Sequence, residues 1–364
     1  MRQQKVLVVS RKKTIMLLIT YSCNLNCLYC YEPKTLKQTM SLNDAKRYIS
    51  ETVDSLEDPY SEFEVQLMGG EPLLRFGFIK ELSEWLWQQT FKIPLVQVFA
   101  ATNGTLLSNE IKNWFFDNRE RICLGLSFDG DGFMQNANRS ESFSKVDLAF
   151  FAQTWSKQSV KMTLTPKTLP HLYDGAVFLH QSGFKHIAAD LAMGAKVDWR
   201  QEDLSVLSIE LQKLTGYYLQ NPDVPRISLL DIDIFAIFSE TKSLKKCSCG
   251  EDLVCIDCDG EKYACHLFSP ISMPSAKARK SQTIDFSKHE NFVPDTCKPC
   301  ALFSVCTVCY GMNYLQHDDT TAQNAFICQA FKVQFYNCCN LYLQTKDINP
   351  SDKALIERVL SEIN

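Results

Sequence analysis

Cys23-Asn24-Leu25-Asn26-Cys27-Leu28-Tyr29-Cys30 sets three cysteines in C-x3-C-x2-C spacing, directly after the apolar run of residues 14–20. Three thiolates on one loop ligate three irons of a [4Fe-4S] cube and leave the fourth iron open. A structural zinc site is the alternative reading, but zinc recruits a fourth ligand to close its tetrahedron. No histidine lies nearby, the first in the chain being His171.

The 364 residues hold 16 cysteines, 45% hydrophobic and 22% charged residues, and a net charge of -4. That apolar fraction buries a large core and excludes a disordered or fibrous chain. Mild acidity without long basic runs argues against a nucleic-acid partner. The cysteine excess means either disulfides in a secreted protein or metal-bound thiolates in a cytosolic one. Residues 1–13 are basic, yet the following apolar run is only seven residues and Tyr21-Ser22 offers no small-residue cleavage site before Cys23. No stretch approaches the ~20 apolar residues that span a bilayer. A cytoplasmic, membrane-free, metal-binding protein is therefore expected.

Outward from the cysteine loop, residues 6–9, 15–20, 63–67, 96–101, 122–128, 160–164 and 187–191 read as strands. Residues 41–56 read as a helix with Ser41 as N-cap and apolar Ala45, Ile49, Val53 and Leu56 on one stripe. Further helices carry Phe78, Ile79, Leu82, Trp85 and Leu86, then residues 109–117 and 173–182. Such βαβα alternation predicts a parallel sheet or barrel, whose functional groups collect at strand ends. The cysteine loop, Gly69-Gly70-Glu71, Asn103-Gly104 and residues 127–130 all follow strands. Beyond about residue 236 the texture changes, with twelve of the sixteen cysteines between Cys247 and Cys339. This predicts a small, metal-stapled second domain. Residues 351–363 read as an amphipathic helix.

The C-x3-C-x-aromatic-C loop after the first strand resembles the radical S-adenosylmethionine (SAM) superfamily. The resemblance implies an open iron that chelates SAM, and release of a 5'-deoxyadenosyl radical that abstracts hydrogen from substrate. Tyr29 holds the family's aromatic position near the adenine. Gly69-Gly70-Glu71-Pro72 looks like the family's GGEP loop, implying close backbone approach and a Glu71 that receives the SAM ammonium. Ser127-Phe128-Asp129-Gly130 resembles S-x-D-G, implicated in holding the ribose. Arg139 stands where relatives pair an Arg with the SAM carboxylate. Taken alone, these segments also suit plain turns and a solvated arginine.

The second cysteine field resembles the SPASM extension of peptide-modifying radical SAM enzymes, C-x(9-15)-G-x4-C followed by C-x2-C-x5-C-x3-C and a last C. Cys249, Gly260 and Cys265 fit, as do Cys297, Cys300 and Cys306, whereas Cys309 stands one residue short of the expected spacing. The resemblance implies one auxiliary [4Fe-4S] cluster on Cys249, Cys255, Cys265 and Cys309, and another on Cys297, Cys300, Cys306 and Cys328. With the SAM cluster this makes three cubes. Paired zinc ribbons are the alternative by spacing alone. Cys123 reads as core, Cys247, Cys338 and Cys339 have no position, and Cys258 is the substitute for Cys255.

The organisation implied is a lead at 1–13, a partial (β/α)6 TIM-type barrel at 14–235, a SPASM domain at 236–340 and a helix at 341–364. Relatives of this layout crosslink or epimerise ribosomal peptides, or oxidise Ser or Cys to formylglycine in sulfatases. Sulfatase maturases carry Asp as base after the cysteine of G-x4-C, where this chain has Cys265-His266. His266 is thus either a base or a packing residue. The expected reaction is thioether or carbon-carbon crosslinking of a peptide or protein substrate. An external electron donor such as flavodoxin or ferredoxin would supply the electron. Only 13 residues precede the first barrel strand, so leader recognition is expected to use the barrel or SPASM surface, or a separate leader-peptide-binding protein. Phe303, Tyr310 and Tyr314 either line a peptide groove or pack in the core. A zinc-stapled binding protein without activity is the reading from another class.

Overall fold

The computed structural model describes residues 11–34, 36–238, 243–345 and 348–363; the strand expected over residues 6–9 lies outside them. β1 (Arg11–Thr20) is central, and Ile15, Leu17, Leu18 and Ile19 are almost wholly buried. A continuous apolar run is what a parallel strand covered on both faces requires. β2 (Tyr60–Gly69), β3 (Leu95–Thr102) and β4 (Ile122–Leu126) add in parallel on one side. β5 (Val160–Leu164) and β6 (Ile187–Leu191) pair in parallel with each other. They join the arc where Ser127 bridges Lys161 and the Phe128 N–H donates to the Lys161 carbonyl at 2.8 Å. Six parallel strands in chain order thus make the partial barrel that the alternating pattern predicts.

The helices explain the alternation of buried and open strand residues. α1 (Leu42–Asp54) starts at Ser41, whose Oγ accepts from the Asp44 N–H at 3.1 Å, and buries Ala45, Ile49 and Val53. α2 (Phe76–Leu86) and α3 (Asn109–Asp117) follow β2 and β3. In β2, Phe63, Val65 and Leu67 are buried, while Glu64, Gln66 and Met68 alternate with them toward the opposite face, as period-2 geometry demands. α4 (Gly132–Asn138) and α5 (Leu148–Thr154) connect β4 to β5. α6 (Leu172–Gln181) links β5 to β6, and α7 (Gln201–Gln220) follows β6.

The cysteine-rich segment does not stand apart from the barrel. Its hairpin, β7 (Leu253–Ile256) and antiparallel β8 (Lys262–Tyr263), adds β7 in parallel to the free edge of β1, pairing Met16 with Cys255. One sheet therefore runs β4-β3-β2-β1-β7-β8. After α8 (Ser275–Ser281) and α9 (Tyr310–His317), the long α10 (Ala325–Leu343) packs back on α7. Trp199 stacks on Phe326 with centroids 4.9 Å apart, and Gln201 donates to Gln329 at 2.9 Å. α11 (Pro350–Ile363) closes the chain and matches the expected amphipathic helix.

The segment also has an aromatic core of its own, Phe268, Phe286, Phe292 and Tyr310 packed edge-on or stacked. Metal need not be its sole staple, contrary to the sequence expectation. Phe303, Tyr310 and Tyr314 are buried, and the two tyrosines belong to this packing. Among the described residues no helix is long and apolar enough to cross a membrane.

Leu17→Ala removes a fully buried side chain from the central strand. It is expected to cost about 2–5 kcal/mol, read as a lowered urea midpoint with an unchanged slope.

Candidate active site

The cysteine loop leaves β1 and is pinned by the ends of three other strands. Gly70 N–H donates to Thr20 O at 3.0 Å and Glu71 N–H to Ser22 O at 2.8 Å. A Cβ on Gly70 would stand 2.4 Å from Ser22 O, and one on Gly69 (φ +149°) would stand 2.1 Å from Thr20 O. No side chain fits there, which is why Gly-Gly occupies this crossing. From β3, Asn103 Nδ2 donates to Asn24 Oδ1 at 2.9 Å. Beyond β4, Leu28 N–H donates to Asn138 O at 2.8 Å and Asn26 N–H to Ser140 Oγ at 2.9 Å. Lys196 holds the Cys30 carbonyl at 2.9 Å, and Lys34 holds that of Leu25.

Glu71 is 1% exposed. Its Oε1 accepts from Thr102 Oγ1 at 2.7 Å and Leu73 N at 3.0 Å, and Oε2 accepts from Asn103 N at 2.7 Å. Burial raises its pKa while these donors pull it back. The carboxylate thus ties the ends of β2 and β3 together, and Thr102-Asn103-Gly104 is its cradle.

Asp129 is fully buried and is the other hub. Tyr29 Oη donates to its Oδ2 at 2.9 Å, Thr163 N–H to its Oδ1 at 2.9 Å, and Asn138 Nδ2 to Oδ2 at 3.2 Å. Arg139 Nε lies 2.9 Å from Oδ2, an ion pair by distance that lacks hydrogen-bond alignment. The short α4, capped by Asp131 at Met134 N, swings Asn138 and Arg139 back to the end of β4. Burial opposes the Arg139 charge, but Asp129 more than restores it, so the guanidinium stays protonated. It also lies over the Tyr29 ring at 5.3 Å. Arg139 is therefore buried, not solvated. Ser127 is half-buried at the same strand end.

Cys23, Cys27 and Cys30 are part-exposed and near one another, and burial raises all three thiols, Cys30 to about 11. Three open thiols on a pinned loop suit the donor set of a site-differentiated [4Fe-4S] cluster. Ligation needs thiolates, so metal uptake would release protons here.

The C-terminal cysteines gather in two groups. Cys306 is raised to about 12 by burial and by Cys328, Cys297 and Cys300 beside it. Cys265 is likewise raised to about 12 by burial, with Cys309 and Cys247 adjacent; Cys249 and Cys255 each have Cys265 as a neighbour. Cys309, one residue out of register, is thus beside the expected group. Cys247 joins that group too, its Sγ accepting from Cys249 N–H at 3.4 Å. Twelve residues separate Cys247 from Gly260, inside the same 9–15 window as Cys249, so spacing alone also admits Cys247. Cys258 turns away and donates to the Leu18 carbonyl at 3.0 Å. Cys123, Cys338 and Cys339 are buried. Among the described residues no three ligand side chains converge on one metal-ion position.

A cavity of about 450 Å³ joins the two halves of the site. Tyr29, Lys161, Thr163 and Asp190 form its barrel wall; Cys297, Cys306, Cys309 and Cys328 lie in the opposite wall. Leu191, Met193, Ile327 and Phe331 make it largely apolar. His266 does not line this cavity. It lies behind Tyr31, ring centroids 5.8 Å apart, with Nδ1 buried and unpartnered, and burial lowers its pKa to about 4. Tyr31 itself sits between Cys30 and the pair Cys265 and Cys309.

Residues 17–127 match the model of the Radical SAM superfamily. Among curated proteins, the chain is 26% identical over 190 residues to an uncharacterized protein of Methanocaldococcus jannaschii, covering 50% of this chain and 64% of that one. It is 26% identical over 147 residues to the radical SAM cyclopropyl synthase TigE of Paramaledivibacter caminithermalis, covering 36% and 29%. The chain therefore spans less than two thirds of the length of these relatives. Among solved structures, anSMEcpe with bound AdoMet superposes with a TM-score of 0.72 at 19% identity, covering 95% of this chain and 98% of that one. Streptococcus suis SuiB bound to its precursor peptide SuiA gives 0.59 at 14% identity, covering 88% and 77%. These likenesses establish the fold.

Arg139→Met leaves the buried Asp129 charge without its cation. The expected loss is about 3–5 kcal/mol, seen as a lower thermal midpoint, whereas Asp129→Asn with Arg139→Met restores part of it. Gly70→Ala forces the cysteine loop off Ser22 and is expected to lower the iron bound per chain after anaerobic reconstitution.

Proposed function

We propose, from the premise that the chain carries a radical SAM domain, that it is a peptide or protein maturase oxidising its substrate between a SAM cluster and two auxiliary clusters. Superfamily membership implies SAM and one [4Fe-4S] cluster. SAM and that cluster supply, when bound, a 5'-deoxyadenosyl radical that takes a hydrogen atom from the substrate. Cys23, Cys27 and Cys30 would hold the cluster. Tyr29, Gly69, Gly70, Glu71, Ser127, Asp129 and Arg139 would shape the SAM pocket, with Asp129 fixing the Tyr29 phenol and the Arg139 cation. Cys297, Cys300, Cys306 and Cys328 form one closed set of four thiols. Cys249, Cys255, Cys265 and Cys309 form the other, with Cys247 an added thiol beside it.

The observation that carries this reading is the shared cavity, bounded by Tyr29 on the barrel wall and by Cys306 and Cys309 on the other. A substrate side chain seated there contacts both walls. Its apolar lining excludes water from a reactive intermediate. Thioether or carbon-carbon crosslinking is the favoured outcome, since a closed cluster accepts the electron left after hydrogen removal. Peptides are named as bound to neighbouring folds, SuiA in SuiB and Cp18Cys in anSMEcpe, which supports a peptide substrate. Formylglycine formation is the second reading, since the fold is like that of anSMEcpe, but His266 stands where that activity calls for an aspartate base, and it does not line the cavity. A flavodoxin or ferredoxin would act as electron donor, in a cytoplasmic setting.

Anaerobic reconstitution with iron and sulfide is expected to load about twelve irons per chain, the sum of three cubes. Reduced protein should then convert SAM to 5'-deoxyadenosine and methionine. Bound zinc with no SAM cleavage would overturn the proposal in favour of a zinc-stapled binding protein. A short Cys-, Ser- or aromatic-rich peptide encoded beside the chain, altered by mass spectrometry after turnover, would support crosslinking; an altered sulfatase peptide would support the second reading.

A further inference from the structure

Oxidation at this site must also remove a proton, and His266 lies outside the cavity. The structure assigns that task to a pair the sequence reading did not single out: Asp190 on β6 and Lys161 on β5. Both line the cavity, and among its described lining residues Asp190 is the single carboxylate. Parallel pairing sets Thr163 beside Asp190 and Lys161 beside Ala188. Val160, Met162 and Leu164 take the buried face of β5, so Lys161 and Thr163 take the cavity face. Lys161 Nζ donates to Asp190 Oδ2, leaving Oδ1 for a substrate proton. The pair is placed relative to the SAM pocket because Thr163 N–H donates to Asp129 Oδ1 at 2.9 Å. It is placed relative to the auxiliary group because Lys161 lies within electrostatic reach of Cys309.

This assignment rests on the oxidative reading above. The substrate C–H bond breaks, its hydrogen atom passing to the 5'-deoxyadenosyl radical. The X–H bond of the partner group (X is S, O or an aromatic carbon) then breaks as the C–X bond forms. The proton goes to Asp190 Oδ1, and the one remaining electron goes to an oxidised iron–sulfur cluster held by the C-terminal thiols. Lys161 keeps its proton and orients the carboxylate. Bonding of the carbon radical to X makes X–H far more acidic than in the parent group, so a carboxylate is basic enough to take its proton.

The test compares wild type, Asp190→Asn, Lys161→Met and His266→Gln, each reconstituted to the same iron content and checked by electron paramagnetic resonance. The probes are two synthetic 18-residue peptides, one with Cys and one with Ser, flanked by apolar residues to suit the cavity. Oxidised peptide is read against 5'-deoxyadenosine. In Asp190→Asn the product per 5'-deoxyadenosine is expected to fall at least about tenfold, in line with loss of a positioned base. Added acetate or formate should restore part of it, which a merely structural residue would not allow. Lys161→Met should fall less, and His266→Gln should keep the wild-type ratio. An Asp190→Asn ratio within about twofold of a productive wild type overturns this assignment alone, as does loss confined to His266→Gln; such a change lies far below the effect of a lost general base. Wild type that cleaves SAM but oxidises neither peptide overturns the oxidative reading and this assignment with it.

Discussion

β1 is the constraint on which the rest of the molecule depends. It is buried on both faces and hydrogen-bonded on both edges, to β2 on one side and β7 on the other. Its end launches the Cys23–Cys30 loop, and its edge partner β7 carries Cys255. Any shift of β1 would move the first three thiols relative to the C-terminal thiols. Parallel pairing in register is stiff, because a one-residue slip reverses every side chain. The two ends of the site are therefore held at a fixed separation by one sheet, without reliance on a linker.

Two buried carboxylates complete the frame. Glu71 and Asp129 each cost desolvation energy, and neither would be tolerated without donors. Glu71 collects its donors from β3 and its own turn, Asp129 from Tyr29, Thr163, Asn138 and Arg139. Each carboxylate thus binds separate strand ends into one rim. The cysteine loop rests on that rim through Ser22, Asn24, Asn26 and Leu28. The backbone crossing at Gly69-Gly70 is so close that the two glycines are structural requirements, whatever else they contact.

The cavity between barrel and cysteine field is built from both sides. β5 and β6 contribute polar groups, and α10 contributes Ile327, Cys328 and Phe331. α10 reaches this position because it packs on α7, with Trp199 and Phe326 stacked at the contact. The helix is apolar around most of its circumference and carries no clear stripe, which is why periodicity did not announce it. The aromatic core around Phe268 and Phe292 was hidden for a similar reason, since its members are far apart in sequence and lie on turns and short helices.

The strand-helix alternation, the three-cysteine loop and the glycine crossing were legible in sequence because each is local. A spacing of two or three residues, or a period of two, is written in adjacent positions. The tertiary structure decided what depends on distant segments meeting. It added β7 to the edge of β1, turned Cys258 toward Leu18 and brought Cys247 to Cys265 and Cys309. It buried Arg139 against Asp129, and it placed His266 behind Tyr31 while Lys161 and Asp190 faced the cavity. Alternation within a strand is written in the sequence, but what each face meets is set by partner strands and helices that no single stretch of residues encodes.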